Sequence, residues 1–298
     1  MRLNSVEVCA GAGGQALGLE RAGFEHLACV ELDSHSCETL RENRPTWNVV
    51  ETDLRAWRPS SDFKHVDLLA GGVPCPPFSL AGKQLGKEDE RDLFPEIVRL
   101  AAELEPSAIM VENVRGLLSR RFESYRAEIV RALEDLGYQY LGWELLNARD
   151  FGVPQSRPRA ILVMMKDPAA QYFRWPEAQP DTVTVATALG DLMADDGWEG
   201  AAAWMASADG VAPALVGGSK KHGGADLGPT RARAAWAELG VDGRGIADKP
   251  PAPGLEAMPR LTLRMAARIQ GFPDSWVFSG RKTAAYRQIG NAFPPPVA

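Results

Sequence analysis

No uninterrupted apolar stretch in this 298-residue chain approaches the roughly 18 residues that a membrane-spanning helix requires. The amino terminus, Met1-Arg2-Leu3-Asn4-Ser5, has no signal-peptide core, so the expectation is a cytoplasmic protein without a membrane partner. Cysteine is scarce: Cys9, Cys29, Cys37 and Cys75 all lie in the first quarter, and none has Cys-x-x-Cys spacing. That speaks against a zinc site or a disulfide framework and predicts reduced thiols and no metal. Basic residues are not in excess either. A formal net charge of −6 argues against a wholesale nucleic-acid coat, although a local basic face on an acidic chain still binds DNA or RNA. With 45% hydrophobic and 24% charged residues the chain is neither disordered nor fibrous, and its length allows one large domain or two ordinary ones.

Short apolar runs alternate with helix-like stretches through the first half of the chain. Strands are expected at 5–9, 27–30, 47–50, 66–70 and 108–111, with helices at 16–22, 34–42 and 93–104. Two further strands are expected at 138–146 and 160–165, across a polar, proline-containing loop. This rhythm predicts an α/β fold, a doubly wound and mostly parallel sheet of about seven strands. From 172 to 258 the chain is rich in Gly, Pro, Ala and Trp and weakly periodic, which predicts a second, smaller, irregular domain. Trp198, Trp204 and Trp236 read as its core. Helical periodicity returns at 261–269, so the expected division is 1–171, 172–258 and a return to the first domain over 259–298.

The most informative segment is Gly71-Gly72-Val73-Pro74-Cys75-Pro76-Pro77-Phe78-Ser79. Prolines fix φ and remove backbone donors, so Cys75 is expected on a stiff loop after a strand, where an α/β enzyme keeps its chemistry. A buried structural cysteine is the alternative. Glu7-Val8-Cys9-Ala10-Gly11-Ala12-Gly13-Gly14 follows the first strand and opens a helix, and its glycines permit a tight turn and close approach to a nucleotide-like ligand. Glu31 and Asp33, at the end of the second strand, suit ribose hydroxyls, unless Glu31 is a solvated loop acid. Asp53 can accept from an adenine amino group or cap a turn. Either a dinucleotide or S-adenosylmethionine fits these acids. Glu112 leaves an apolar strand on the same sheet edge as Cys75, where burial raises a carboxyl pKa and suits proton donation. Arg157 and Arg159, two apart before a strand, can point to one face and hold a phosphate, a base oxygen or Glu112.

These pieces, in this order, resemble the DNA (cytosine-5) methyltransferases of bacteria. The resemblance rests on the glycine turn, Pro74-Cys75-Pro76-Pro77-Phe78-Ser79, Glu112-Asn113-Val114, Gln155-x-Arg157-x-Arg159, the run from Arg260-Leu261-Thr262 to Gly271-Phe272-Pro273, and Gly290-Asn291-Ala292. It covers 7–166 and 260–298 and leaves the middle as a target-recognition domain. It implies a Rossmann-like fold, S-adenosylmethionine as cofactor with S-adenosylhomocysteine as product, and double-stranded DNA as substrate. Cys75 would add to C6 of a flipped-out cytosine. Glu112 would contact N3 and the exocyclic amine, Arg159 would hold O2, and Arg157 would support Glu112 or a phosphate. Cys9, Ala10, Gly11, Gly13 and Gly14 would meet the methionine end, Glu31 the ribose and Asp53 the adenine, with Leu93 as an apolar wall and Asn291 closing the pocket.

The loop 81–92 is the expected lid, and Ser79, Gln84, Lys220, Lys221, Arg231 and Arg233 are the expected DNA contacts. A monomer is expected, with a cognate restriction endonuclease as a partner by association only. The resemblance also implies that such a chain continues past Ala298. Departures from the pattern are Cys9 in place of phenylalanine, Pro76 in place of glutamine and Met265 in place of glutamate. Three rivals remain at this point. An RNA cytosine-5 methyltransferase would carry a Cys-Phe-Thr element, and no cysteine follows Cys75. A catalytically silent DNA-binding protein would have lost Cys75 or Glu112. A nicotinamide dehydrogenase leaves the cysteine between prolines unexplained.

Overall fold

The computed structural model describes residues 3–74, 92–218 and 224–298. Its first half runs β1 (Leu3–Val8), α1 (Gly14–Arg21), β2 (Phe24–Glu31), α2 (Ser34–Asn43), β3 (Val49–Glu51), β4 (Leu68–Gly71), α3 (Phe94–Leu104) and β5 (Ala108–Val114). Then follow α4 (Glu123–Glu134), β6 (Gln139–Asn147), β7 (Gln155–Ser156) and β8 (Pro158–Met165). Seven of these strands form one sheet in the order β3-β2-β1-β4-β5-β8-β6. The pairs from β3 to β5 are parallel, and β8 is antiparallel to both β5 and β6. The expected seven-stranded, mostly parallel sheet is the one observed.

Helices on both faces explain why these strands read as continuous apolar runs: Val6, Val8, Leu69, Ala70, Ile109 and Val111 are all buried. In α3 the buried residues Phe94, Ile97, Leu100, Ala101 and Leu104 recur at three- and four-residue spacing, with Pro95 in the first turn where its missing N–H is harmless. The chain winds outward from β1 in both directions, to β2 and β3 on one side and to β4 and β5 on the other. That reversal opens a crevice above the carboxyl ends of β1 and β4, the place where doubly wound sheets bind ligands.

The stretch 172–258 is more regular than its composition predicts. It holds α5 (Val185–Ala194), α6 (Ala201–Ser207), the short strand β9 (Ala212–Pro213) and α7 (Thr230–Glu238). Alanine and glycine blur the polar–apolar contrast on which periodicity depends, so these helices were illegible. Trp204 and Trp236 are buried, and Trp198 is partly buried against the same apolar cluster. The same apolar cluster includes Met265, Ile269, Tyr286 and Ile289 from α8 (Leu263–Ile269) and α9 (Lys282–Asn291). The parallel pair β7 and β9 joins the stretch to the strand that leads into β8. Among the described residues no helix is long and apolar enough to cross a membrane.

Candidate active site

A cavity of about 920 Å³ occupies the crevice and is lined from every element that ends there. Cys9, Ala10, Gly11 and Gly14 come from the turn after β1, and Glu31 and Asp33 from the end of β2. Asp53 follows β3, Gly72, Val73 and Pro74 follow β4, and Leu93 precedes α3. Glu112 is on β5, Arg159 on β8 and Asn291 at the end of α9, and Arg157 reaches the wall from between β7 and β8. Residues singled out in the sequence on widely separated segments therefore share one space.

The turn holds its shape for identifiable reasons. Cys9, Gly11 and Gly13 adopt left-handed φ values of 53°, 54° and 83°. Gly14 lies so close to the carboxyl-terminal segment that a Cβ there would come within 2.2 Å of the Phe293 carbonyl oxygen. Gly13 is not part of the lining. It caps α1, and a Cβ on it would sit 2.6 Å from Leu40 Cδ2, so its smallness serves packing.

Glu31 ties the turn to β2. Its Oε2 accepts from the Gly11 N–H at 2.8 Å, and its Oε1 accepts from the N–H groups of Leu32 and Asp33 at 2.8 and 2.7 Å. Asp53 accepts from the Arg55 guanidinium and main chain, which pull its pKa down to about 2. Beneath the turn lies Glu7, a cavity residue not singled out in the sequence. It is 1% exposed, and its Oε2 has no hydrogen-bond partner. Burial pushes its pKa well up, opposed by a hydrogen bond from the Ala16 main chain and reinforced by the charge of Glu31.

Across the cavity Arg159 Nε lies 2.8 Å from Glu112 Oε1, with both side chains mostly buried. Burial raises the Glu112 pKa, against the opposing pull of Arg159 and Arg157. Arg157 lines the same cavity and is held by the main chain. Its guanidinium donates to the carbonyl oxygens of Leu215 at 2.7 Å, Gly290 at 2.7 Å and Ala292 at 3.1 Å, which commits it to the backbone. Asn113 is buried and its amide donates to the Val73 carbonyl at 3.0 Å, tying β5 to the segment that leads to Cys75.

Residues 3–298 match the family described as C-5 cytosine-specific DNA methylase. The chain belongs to this family. It is 58% identical over 301 residues to the type II methyltransferase M.NaeI of Lentzea aerocolonigenes, covering 99% of this chain and 73% of that protein. Over 303 residues it is 53% identical to the type II methyltransferase M.NgoMIV of Neisseria gonorrhoeae, covering 100% of this chain and 95% of that one. A solved DNMT2 mutant from Spodoptera frugiperda shares the fold, with a TM-score of 0.69 at 17% identity, covering 99% and 97% of the two chains. The protein is thus a DNA cytosine-5 methyltransferase, and the dehydrogenase reading falls.

The remaining thiols of this methyltransferase are chemically quiet. Burial, then the charges of Glu31, Asp53 and Glu7, push the Cys9 thiol far up, and burial does the same to Cys29. Cys37 is pushed up to about 12. Cys75, Ser79, Gln84, most of the expected lid, Lys220 and Lys221 lie outside the described residues. Arg231 and Arg233 are on α7, Arg231 exposed and Arg233 half-buried beside Gly243. Another cavity residue that sequence reading missed is Arg287, one turn before Asn291 on α9. Its spacing from Asn291 is visible in the sequence, but nothing there says that this face of α9 meets the cavity. Among the described residues no group of His, Cys, Asp and Glu side chains is arranged to hold a metal ion.

Proposed function

We propose that the cavity binds S-adenosylmethionine and a cytosine flipped out of double-stranded DNA, and that Cys75 is the nucleophile. The observation that carries this reading is that the acid-lined glycine turn and the Glu112–Arg159 pair face one cavity. The donor set fits this cofactor. Glu7, Glu31, Asp33 and Asp53 crowd the turn, and the Gly11 N–H is already taken by Glu31. A pyrophosphate there would meet carboxylates, whereas an ammonium and a sulfonium meet complementary charge. Glu7, with its unpartnered oxygen, is the acid available to the ammonium, and Arg287 is a cation available to the carboxylate. Cys9, Ala10, Gly11 and Gly14 hold the methionine end, Glu31 the ribose and Asp53 the adenine amino group, with Leu93 and Asn291 as walls. When bound, S-adenosylmethionine supplies an electrophilic methyl group and leaves as S-adenosylhomocysteine.

The chain's own groups account for the rest. The Cys75 thiolate adds to C6, which makes C5 nucleophilic, and it is expelled once C5 has lost its proton. Glu112, whose raised pKa keeps a proton within reach, shares it with N3 and accepts from the exocyclic amine. Arg159 orients Glu112 and donates to O2. Arg157 serves by fixing the backbone around the pocket. Base flipping costs a few kcal/mol, which the loop 81–92 and the target-recognition residues 172–258 offset. Ser79, Gln84, Lys220, Lys221, Arg231 and Arg233 contact DNA. The enzyme acts as a monomer in the cytoplasm, as the modification half of a restriction pair. Transfer of label from methyl-tritiated S-adenosylmethionine to genomic DNA and to total RNA, followed by nucleoside analysis, tests this. Label as 5-methylcytosine in DNA supports it, and label in RNA alone overturns it.

A further inference from the structure

We propose that Gln155 is a positioning residue that locks the segment 214–217 in place as a wall of the catalytic cavity. Resting on the proposed DNA substrate, the inference is that this lock couples target recognition to methyl transfer. Gln155 and Arg157 are two apart and on one face, and both reach the main chain of Leu215. Gln155 Oε1 accepts from the Leu215 N–H at 2.8 Å, and Arg157 Nη1 donates to the Leu215 carbonyl at 2.7 Å. Two side chains from the segment that leads into β8 thus satisfy both main-chain polar groups of one buried residue in the recognition region.

The lock extends to the end of α9. Gln155 Nε2 donates to Gln270 Oε1 at 2.7 Å and to the Ile269 carbonyl at 3.2 Å. Gln270 Nε2 donates in turn to the Ala292 carbonyl, which also accepts from Arg157. Gln155, Arg157 and Gln270 are at most 1% exposed, so none of these bonds exchanges freely with water. The backbones they join are in contact: a Cβ on Gly290 would lie 2.4 Å from the Gly217 nitrogen, and Asn291 Nδ2 donates to the Gly218 carbonyl at 3.2 Å.

Leu215, Val216 and Gly217 line the same cavity as Glu112 and Arg159. A shift of the segment by one residue would orphan a buried N–H and a buried carbonyl together, so the arrangement has one stable register. Any DNA contact that displaces the recognition segment must therefore displace the cavity wall, or be resisted by it. Gln155 itself does not line the cavity, so it acts through Leu215 and not on bound ligands.

The test compares Gln155→Met, which removes both amide functions at nearly constant volume, with Gln155→Glu, which keeps the acceptor for Leu215. The glutamate charge would lie near Arg157 Nη1, now 3.5 Å from Gln155 Oε1, while the donor to Gln270 Oε1 and the Ile269 carbonyl is given up. Hydrogen exchange across 212–218 reads the placement directly. Steady-state kinetics on DNA carrying the mapped target, or that target with one base pair changed, read the coupling. S-adenosylhomocysteine binding without DNA is the control.

For the methionine variant we expect faster exchange at 214–216, a KM for DNA raised about tenfold and a reduced preference for the true target, with cofactor affinity unchanged. The glutamate variant should recover the slow exchange at 214–216 and much of the target preference, at some cost in Tm from the lost donor. Wild-type exchange and wild-type KM in Gln155→Met would overturn the inference. So would equal losses of kcat and Tm in both variants with target preference intact, which describe a merely structural residue. Absence of 5-methylcytosine with the wild-type protein would instead overturn the proposed function, and the exchange data would still decide the placement.

Discussion

Arg159 Nε and Glu112 Oε1 are 2.8 Å apart on adjacent antiparallel strands, β8 and β5, with each side chain about 15% exposed. The pairing puts a charged donor and a carboxyl whose pKa is raised at one point of the cavity. Glu112→Gln keeps the volume but cannot give up a proton, so kcat should fall about 10²-fold or more while S-adenosylhomocysteine affinity holds. The sign of the pKa shift adds a second expectation. The proton on Glu112 is lost as pH rises through its folded pKa, so the wild-type rate should carry an alkaline limb from this group that the glutamine variant lacks. Single-turnover methyl transfer against pH measures both.

Among the cysteines only the thiols of Cys9, Cys29 and Cys37 are described, and all three are shifted upward. At a pH near 8 they remain protonated, so iodoacetamide should label Cys75 first, as peptide mapping would reveal. Cys75→Ser should abolish transfer and leave cofactor binding intact, whereas Cys9→Ser should retain activity. A modified Cys9 peptide appearing before the Cys75 peptide would contradict the assignment.

Glu7 binds its proton more tightly in the folded protein than in the unfolded chain. Its contribution to stability is therefore present in full below about pH 4.3 and is lost as pH rises through its folded pKa. Relative to wild type, Glu7→Gln should gain Tm between about pH 5 and pH 8. If Glu7 pairs with the cofactor ammonium, binding of S-adenosylhomocysteine must ionise it and release a proton. Calorimetry in buffers of different ionisation enthalpy should detect that release in wild type and not in the glutamine variant.

Gly14→Ala drives a methyl group toward the Phe293 carbonyl oxygen, 2.2 Å from the new Cβ. The segment that closes the cavity has to move, so stability should drop by about 1–3 kcal/mol and cofactor affinity with it. Thermal melts with and without S-adenosylhomocysteine check this, the ligand-induced rise in Tm being the sensitive reading.

Lys220 and Lys221 are proposed phosphate contacts. Replacing both with alanine should make the plot of log affinity for DNA against log salt shallower by about 2. An unchanged slope in fluorescence anisotropy titrations would remove them from the interface.

The sheet was legible because burial on both faces demands continuous apolar strands, and 66–70 or 108–111 cannot be read otherwise. Site residues on strand ends were legible for the same reason: the carboxyl ends of parallel strands converge, so Glu31, Glu112 and the glycine turn had to meet. What holds Arg157 and Gly13 in place was not legible. A two-residue spacing says that Arg157 and Arg159 share a face, but not that carbonyls of Leu215, Gly290 and Ala292 wait beneath one of them. The helices of 172–258 were missed because alanine and glycine carry little hydrophobic contrast.

Strand periodicity, the proline-bracketed cysteine and the order of the glycine turn, Glu112 and the paired arginines determined, from sequence alone, the fold class and the family. These are local properties, set by which residues neighbour one another along the chain. Tertiary structure alone decided that Glu7 lies buried under the turn without a second partner, and that Gln155 and Arg157 grip Leu215. The grip on Leu215 depends on segments 58 and 60 residues apart being pressed together in a dry interior. There every polar group must find a partner or be left without one, and no local pattern says which.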